Sequence, residues 1–160
     1  MREIRLWLFL MASAWLSFPV NASAAAPWGS APVLDITYRP QRVLYDVTSG
    51  DPKALANILN RISYLSSLYQ ANPFDGSIVV VLHGESIGLF AQRNYEANRE
   101  LMTRAQSLSS GGIIQFRMCR AAAKLQGFEP KDVHGFVSMV PMADAEIVRL
   151  QNEDGYAYMR

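Results

Sequence analysis

The sequence predicts an α/β protein with three layers, α/β/α, around a mainly parallel sheet of about five strands. Three observations carry that expectation. Segments of β-rich composition alternate with segments of helical periodicity, the connections between them are short, and residues 77–83 form an apolar run with no polar alternation. Alternation with short links implies parallel pairing through right-handed crossovers. A run that is apolar at successive positions marks a central strand covered on both sides.

The elements follow in order. Residues 42–48, with Val43, Leu44, Tyr45 and Val47, read as a first strand that stops at Ser49, Gly50, Asp51 and Pro52. Asp51 as N-cap with Pro52 at the first helical position starts a helix. Leu55, Ile58, Leu59, Ile62, Leu65 and Leu68 recur along it at helical spacing until Asn72 and Pro73. Residues 77–83 are the second strand, broken by Gly84. After a looser stretch around Ile87, Gly88 and Leu89, the positions Tyr95, Leu101, Met102, Ala105 and Leu108 predict a second helix ending near Gly111 and Gly112. Residues 113–118 read as a third strand, and Cys119 opens an Ala-rich helix closed by Gly127. Glu129, Pro130, Lys131 and Asp132 supply a turn or short helical segment. Residues 135–140 are a fourth strand, 143–152 a helix, and 156–159 a short last strand.

Ahead of this lies a segment of another kind. Arg2 and Arg5 flank Glu3, residues 6–20 are almost wholly apolar, and Ala22, Ser23 and Ala24 fit a small-residue cleavage site. The apolar run is shorter than the roughly 20 residues of a spanning helix and contains Pro19. Residues 1–24 are therefore expected to be a cleaved signal peptide, leaving a periplasmic or secreted protein with no membrane span after processing. Residues 25–40, rich in Ala, Pro, Ser and Gly, read as an irregular arm, and residues 41–160 as one α/β domain. Removing the leader takes the formal charge from +1 to about zero, so nothing electrostatic favours nucleic acid or an anionic membrane.

An exported chain with a single cysteine cannot form an internal disulfide. Cys119 is then a small buried hydrophobe, an intersubunit bridge or a reactive thiol. In an open α/β sheet ligands bind outside the carboxyl ends of the strands. Asp46, His83 and Cys119 stand at the ends of the first three. Amides at the start of the following helix would favour a thiolate at Cys119, and Arg117 and Arg120 would add to that if they point the same way. The plainer roles are a loop hydrogen bond for His83 and a loop brace through residues 48–51 for Asp46. His134, before Gly135 in a turn, is expected at the surface, and the tyrosines, Tyr158 among them, read as core or interface filling. No phosphate loop, Cys-x-x-Cys or paired-histidine spacing is present, so no metal and no cofactor are expected.

The stretches around Asp46, the His83-Gly84 step, the strand leading into Cys119 with Ala121, Ala122 and Ala123 behind it, and the segment from Ala145 through Tyr158 resemble the DsrE family of sulfur-relay proteins, in particular small exported, DsrE/DsrF-like (TusD-like) members. The resemblance covers residues 42–160. It implies a parallel α/β sheet, assembly into a homo-oligomer (trimer or hexamer), and Cys119 as the position that carries sulfur as a persulfide. It also implies a sulfur donor and an acceptor, as proteins or small sulfane sulfur compounds. His83 with Gly84 matches a recurrent family motif of underived role. The expected function is a sulfur carrier of the cell envelope. The alternative is a non-catalytic oligomeric binding protein on the same fold, with Cys119 structural.

Overall fold

The computed structural model describes residues 28–160. The expected signal peptide, its cleavage site and the first residues of the arm lie outside the described residues. Residues 28–41 carry no helix or strand, and Ile36–Arg160 form one compact unit. Its strands are β1 (Arg42–Val47), β2 (Ser77–Leu82), β3 (Ile114–Cys119), β4 (Val137–Val140) and β5 (Ala157–Met159). Its helices are α1 (Pro52–Leu68), α2 (Tyr95–Ser109), α3 (Arg120–Leu125) and α4 (Ala143–Asn152). The sheet runs β4-β3-β2-β1-β5 and every pairing is parallel, as the alternation of elements predicts.

Local chemistry explains the elements. The Asp51 carboxylate accepts from the Lys53 amide at 2.9 Å and Pro52 supplies the first turn of α1. The apolar stripe of that helix then buries Leu55, Leu59 and Ile62 completely. In β2, Ile78 through Leu82 are all fully buried, which requires cover on both faces. Each such aliphatic side chain contributes about 1.5–3 kcal/mol by leaving water.

Chain direction decides which helix covers which face. Stepping from β1 to β4 moves one way across the sheet, and right-handed crossovers put α1, α2 and α3 on the same side. There Val43, Tyr45, Ile78, Val80, Phe116 and Met118 pack with Leu59 and Met102. The step from β4 to β5 runs back across β3, β2 and β1, so α4 lies on the opposite face. It packs Ala143 and Leu150 on Leu44, Val79, Val81 and Cys119.

The structure departs from the sequence reading by a residue or two at several strand ends, and more informatively in the following elements. The stretch after β2 forms two 3-10 segments, Gly84–Phe90 and Gln92–Asn94, whose three-residue period hides among the glycines. Helix α2 bends at Asn98 (φ −119°), where the side-chain amide donates to the Asn94 carbonyl at 3.2 Å. Strand β3 extends to include Cys119, paired with Val140 of β4. Among the described residues no helix is long and apolar enough to cross a membrane.

Candidate functional site

The register aligns the carboxyl ends of the central strands. Asp46 of β1 stands level with Val81 of β2, and Val81 with Arg117 of β3. Side chains alternate along a strand, so these three point to the α4 face, and two residues further on so do His83 and Cys119. His83 keeps extended backbone (φ −154°, ψ −177°), which preserves the alternation past the end of β2.

His83 does not turn toward Cys119. Its Nε2 meets Asp46 Oδ1 at 2.6 Å, on the neighbouring strand away from β3. The second carboxylate oxygen of Asp46 accepts the Tyr158 hydroxyl, also at 2.6 Å. The residue after β2 and one residue each from β1 and β5, three adjacent strands, thus form a hydrogen-bonded row. Asp46 and His83 are largely shielded (11% and 23% exposed side chains), whereas Tyr158 is open to solvent. Accepting the hydroxyl bond, Asp46 holds the Tyr158 phenol above its ordinary pKa, burial and the carboxylate charge adding to the effect. Asp46 therefore joins two side chains, where the sequence reading gave its plainer role as bracing the 48–51 loop.

The loop behind His83 fixes the imidazole. Gly84 adopts φ +59°, and a Cβ there would meet the Thr48 carbonyl at 3.2 Å, so glycine is required on two counts. The His83 amide donates to the Val47 carbonyl at 3.1 Å, and the Ser86 amide to that of Thr48 at 3.0 Å. The fully buried Ser86 hydroxyl lies within bonding distance of the Val47 and His83 carbonyls, at 2.9 and 2.8 Å. With Nε2 engaged by a carboxylate and the ring partly open, a tautomer carrying its hydrogen on Nε2 leaves the Nδ1 lone pair free to accept from a ligand.

Cys119 is a separate centre. It is the N-cap of α3, and its Sγ accepts from the Ala122 amide at 3.4 Å. It is 4% exposed and packs with Leu44, Val79, Val81, Ala143 and Leu150. Among the described residues no hydrogen bond joins Cys119 to His83, so the two do not form a nucleophile–base pair.

The flanking arginines diverge. Arg117 is engaged by Glu146 of α4 and donates to Gln115 Oε1 at 2.8 Å, so its charge is neutralised. Bonds from Arg149 and Arg117 outweigh burial and hold the Glu146 carboxyl below its ordinary pKa. Arg120 is exposed on α3.

His134 is not at the open surface as the turn suggested. Its ring is half-buried, stacked on Phe136 with centroids 5.8 Å apart and edge-on to Tyr95 at 5.5 Å. Its Nε2 is shielded with no hydrogen-bond partner, and burial pushes its pKa down. Tyr158 is the participant that sequence reasoning missed. Alternation along residues 156–159 puts Tyr158 on the side of Tyr156 without naming its neighbour, and only the pairing of Leu44 with Tyr158 brings it to Asp46. Among the described residues no three His, Cys, Asp or Glu side chains cluster as metal ligands.

Fold and site together define Ile36–Arg160 as an all-parallel α/β unit with polar groups gathered at the carboxyl edge of its sheet. Among solved structures it is similar to MTH1491 from Methanobacterium thermoautotrophicum, described as a protein of unknown function, at 20% identity and a TM-score of 0.60, covering 75% of this chain and 98% of that one. At that identity the likeness is one of fold. No protein-family model matches the chain, and no curated protein does.

Proposed function

We propose that this is an exported, DsrE-like sulfur carrier of the cell envelope that holds a persulfide on Cys119 and works as a homo-oligomer, a trimer or hexamer. The observation that carries the reading is the backbone N–H of Ala122 aimed at Cys119 Sγ from 3.4 Å, at the carboxyl end of a central strand. That amide would hold the sulfur in place at the strand end, and in the thiolate form the sulfur is the nucleophile. It would attack the outer sulfur of a persulfide donor, R–S–SH. The new bond joins the two sulfurs, the donor's S–S bond breaks, and its electron pair leaves on R–S⁻. The sulfur atom moves with no net oxidation, and an acceptor thiolate removes it by the same step.

A second reading is favoured by one specific fact, the 4% exposure of Cys119 among aliphatic neighbours. On that reading the sulfur only caps α3 and fills the core of a non-catalytic binding protein. Incubation of the native protein with a low-molecular-weight persulfide, followed by intact mass measurement, separates the two. A carrier gains one sulfur atom per chain, reversed by a thiol reductant and absent in Cys119→Ser. A thiol that reacts with neither persulfide nor iodoacetamide until denatured would leave the binding protein standing.

A further inference from the structure

We infer that the cleft where β3 and β4 end is a binding site for a small oxyanion, built by Arg120 and Lys124. The connection leaving β3 is α3, on one face of the sheet, and that leaving β4 is α4, on the other. Since β3 and β4 are neighbours, their carboxyl ends part at a topological switch point, the place where an open α/β sheet forms a crevice. A cleft of about 460 Å³ lies there, within the size range of small-molecule sites.

The lining determines the class of ligand. Arg120 and Lys124 stand four residues apart on α3, so both point to one side of that helix. Among the described residues neither enters an ion pair or a side-chain hydrogen bond, whereas Arg117 and Arg149 nearby are taken up by Glu146 and Asp154. One carboxylate, Glu129, opposes the two cations, so the cleft keeps a net positive charge. Pro130 and Pro141 form stiff walls, and the Ala121 amide is bonded to the Pro141 carbonyl at 3.2 Å, which ties α3 to the end of β4. A guanidinium fork beside an ammonium suits a sulfate-like or carboxylate group with two or three acceptor oxygens.

The inference is independent of whether Cys119 carries sulfur. It is tested by titrating the protein with sodium sulfate against sodium chloride at equal ionic strength, following backbone amides by NMR. Sulfate should give saturable shifts centred on Arg120, Ala121 and Lys124, and the double variant Arg120→Gln/Lys124→Gln should weaken binding at least tenfold while its other amides stay in place. Cys119→Ser should bind as the parent does, which separates this site from the sulfur reading. Shifts that chloride reproduces, or that the double variant leaves unchanged, would overturn it.

Discussion

Replacing His134 by phenylalanine should stabilise the protein, and more in acid than in base. The ring sits against Phe136 and Tyr95, and its shielded Nε2 has no partner. An unsatisfied buried polar atom costs about 1–3 kcal/mol. Because this ring is only half-buried, the lower end, about 1 kcal/mol, applies, which raises the melting temperature of a domain of this size by about 4 °C. Phenylalanine keeps the aromatic stack and removes the nitrogen. The pH dependence follows from the direction of the shift. Burial lowers the folded-state pKa below its ordinary 6.5, so the unfolded chain takes up the proton first. The stability associated with neutral His134 is therefore complete above that ordinary value and falls as pH drops toward the folded pKa. Thermal melts of parent and variant at about pH 8 and about pH 5 should show a gap that widens in acid. A variant less stable at both, or a gap that does not change with pH, would refute the reasoning, and His134→Leu checks that the result does not depend on the larger ring.

Tyr158→Phe removes a bond made at the open surface and should cost no more than about 1 kcal/mol. Ultraviolet titration should then lose one of the two tyrosines held above the ordinary range, Tyr69 remaining, and Asp46→Asn should bring Tyr158 back toward normal. Glu146→Gln leaves Arg117 half-buried without its counter-ion and should destabilise by about 1–3 kcal/mol at neutral pH. Since the folded Glu146 pKa lies below its ordinary 4.5, its contribution is present above that value and lost as pH falls through the folded pKa, so parent and variant should converge in acid unfolding. Light scattering at micromolar concentration should give a trimer or hexamer. A monomer mass that persists on concentration would count against the proposed assembly.

The strands and helices were legible because each is written locally. Pro52 after Asp51, the unbroken apolar residues of β2 and the glycines after β2 and α3 act within a few residues of where they stand. Even the shared edge of Asp46, His83 and Cys119 followed from parallel alternation. What could not be read is which neighbour each polar group chooses. Arg117 lies two residues from Cys119 in sequence, yet its charge goes to Glu146, which a helix on the far side of the connection brings back over the sheet. His83 chose Asp46 rather than Cys119 because loop bonds through Ser86 aim it at β1. His134 looked exposed because a turn residue before glycine usually is, and only the approach of Tyr95 from α2, beside Phe136 two residues on, covers it.

Strand β5 closes one edge of the sheet from far away in sequence. Among the described residues it is the last element and pairs with β1, the first. Its neighbourhood is closed by the Tyr158–Asp46 bond and by the Arg42 and Arg61 side chains, which donate to the Asp154 and Arg160 carbonyls at 3.0 and 2.9 Å. Until β5 docks, β1 presents a bare edge, and closure of the long loop between the two strands has to be met before the contact is gained. A molecule in which β5 has come away would carry β1 as a free strand edge, open to pairing with a second copy or to capture by a chaperone.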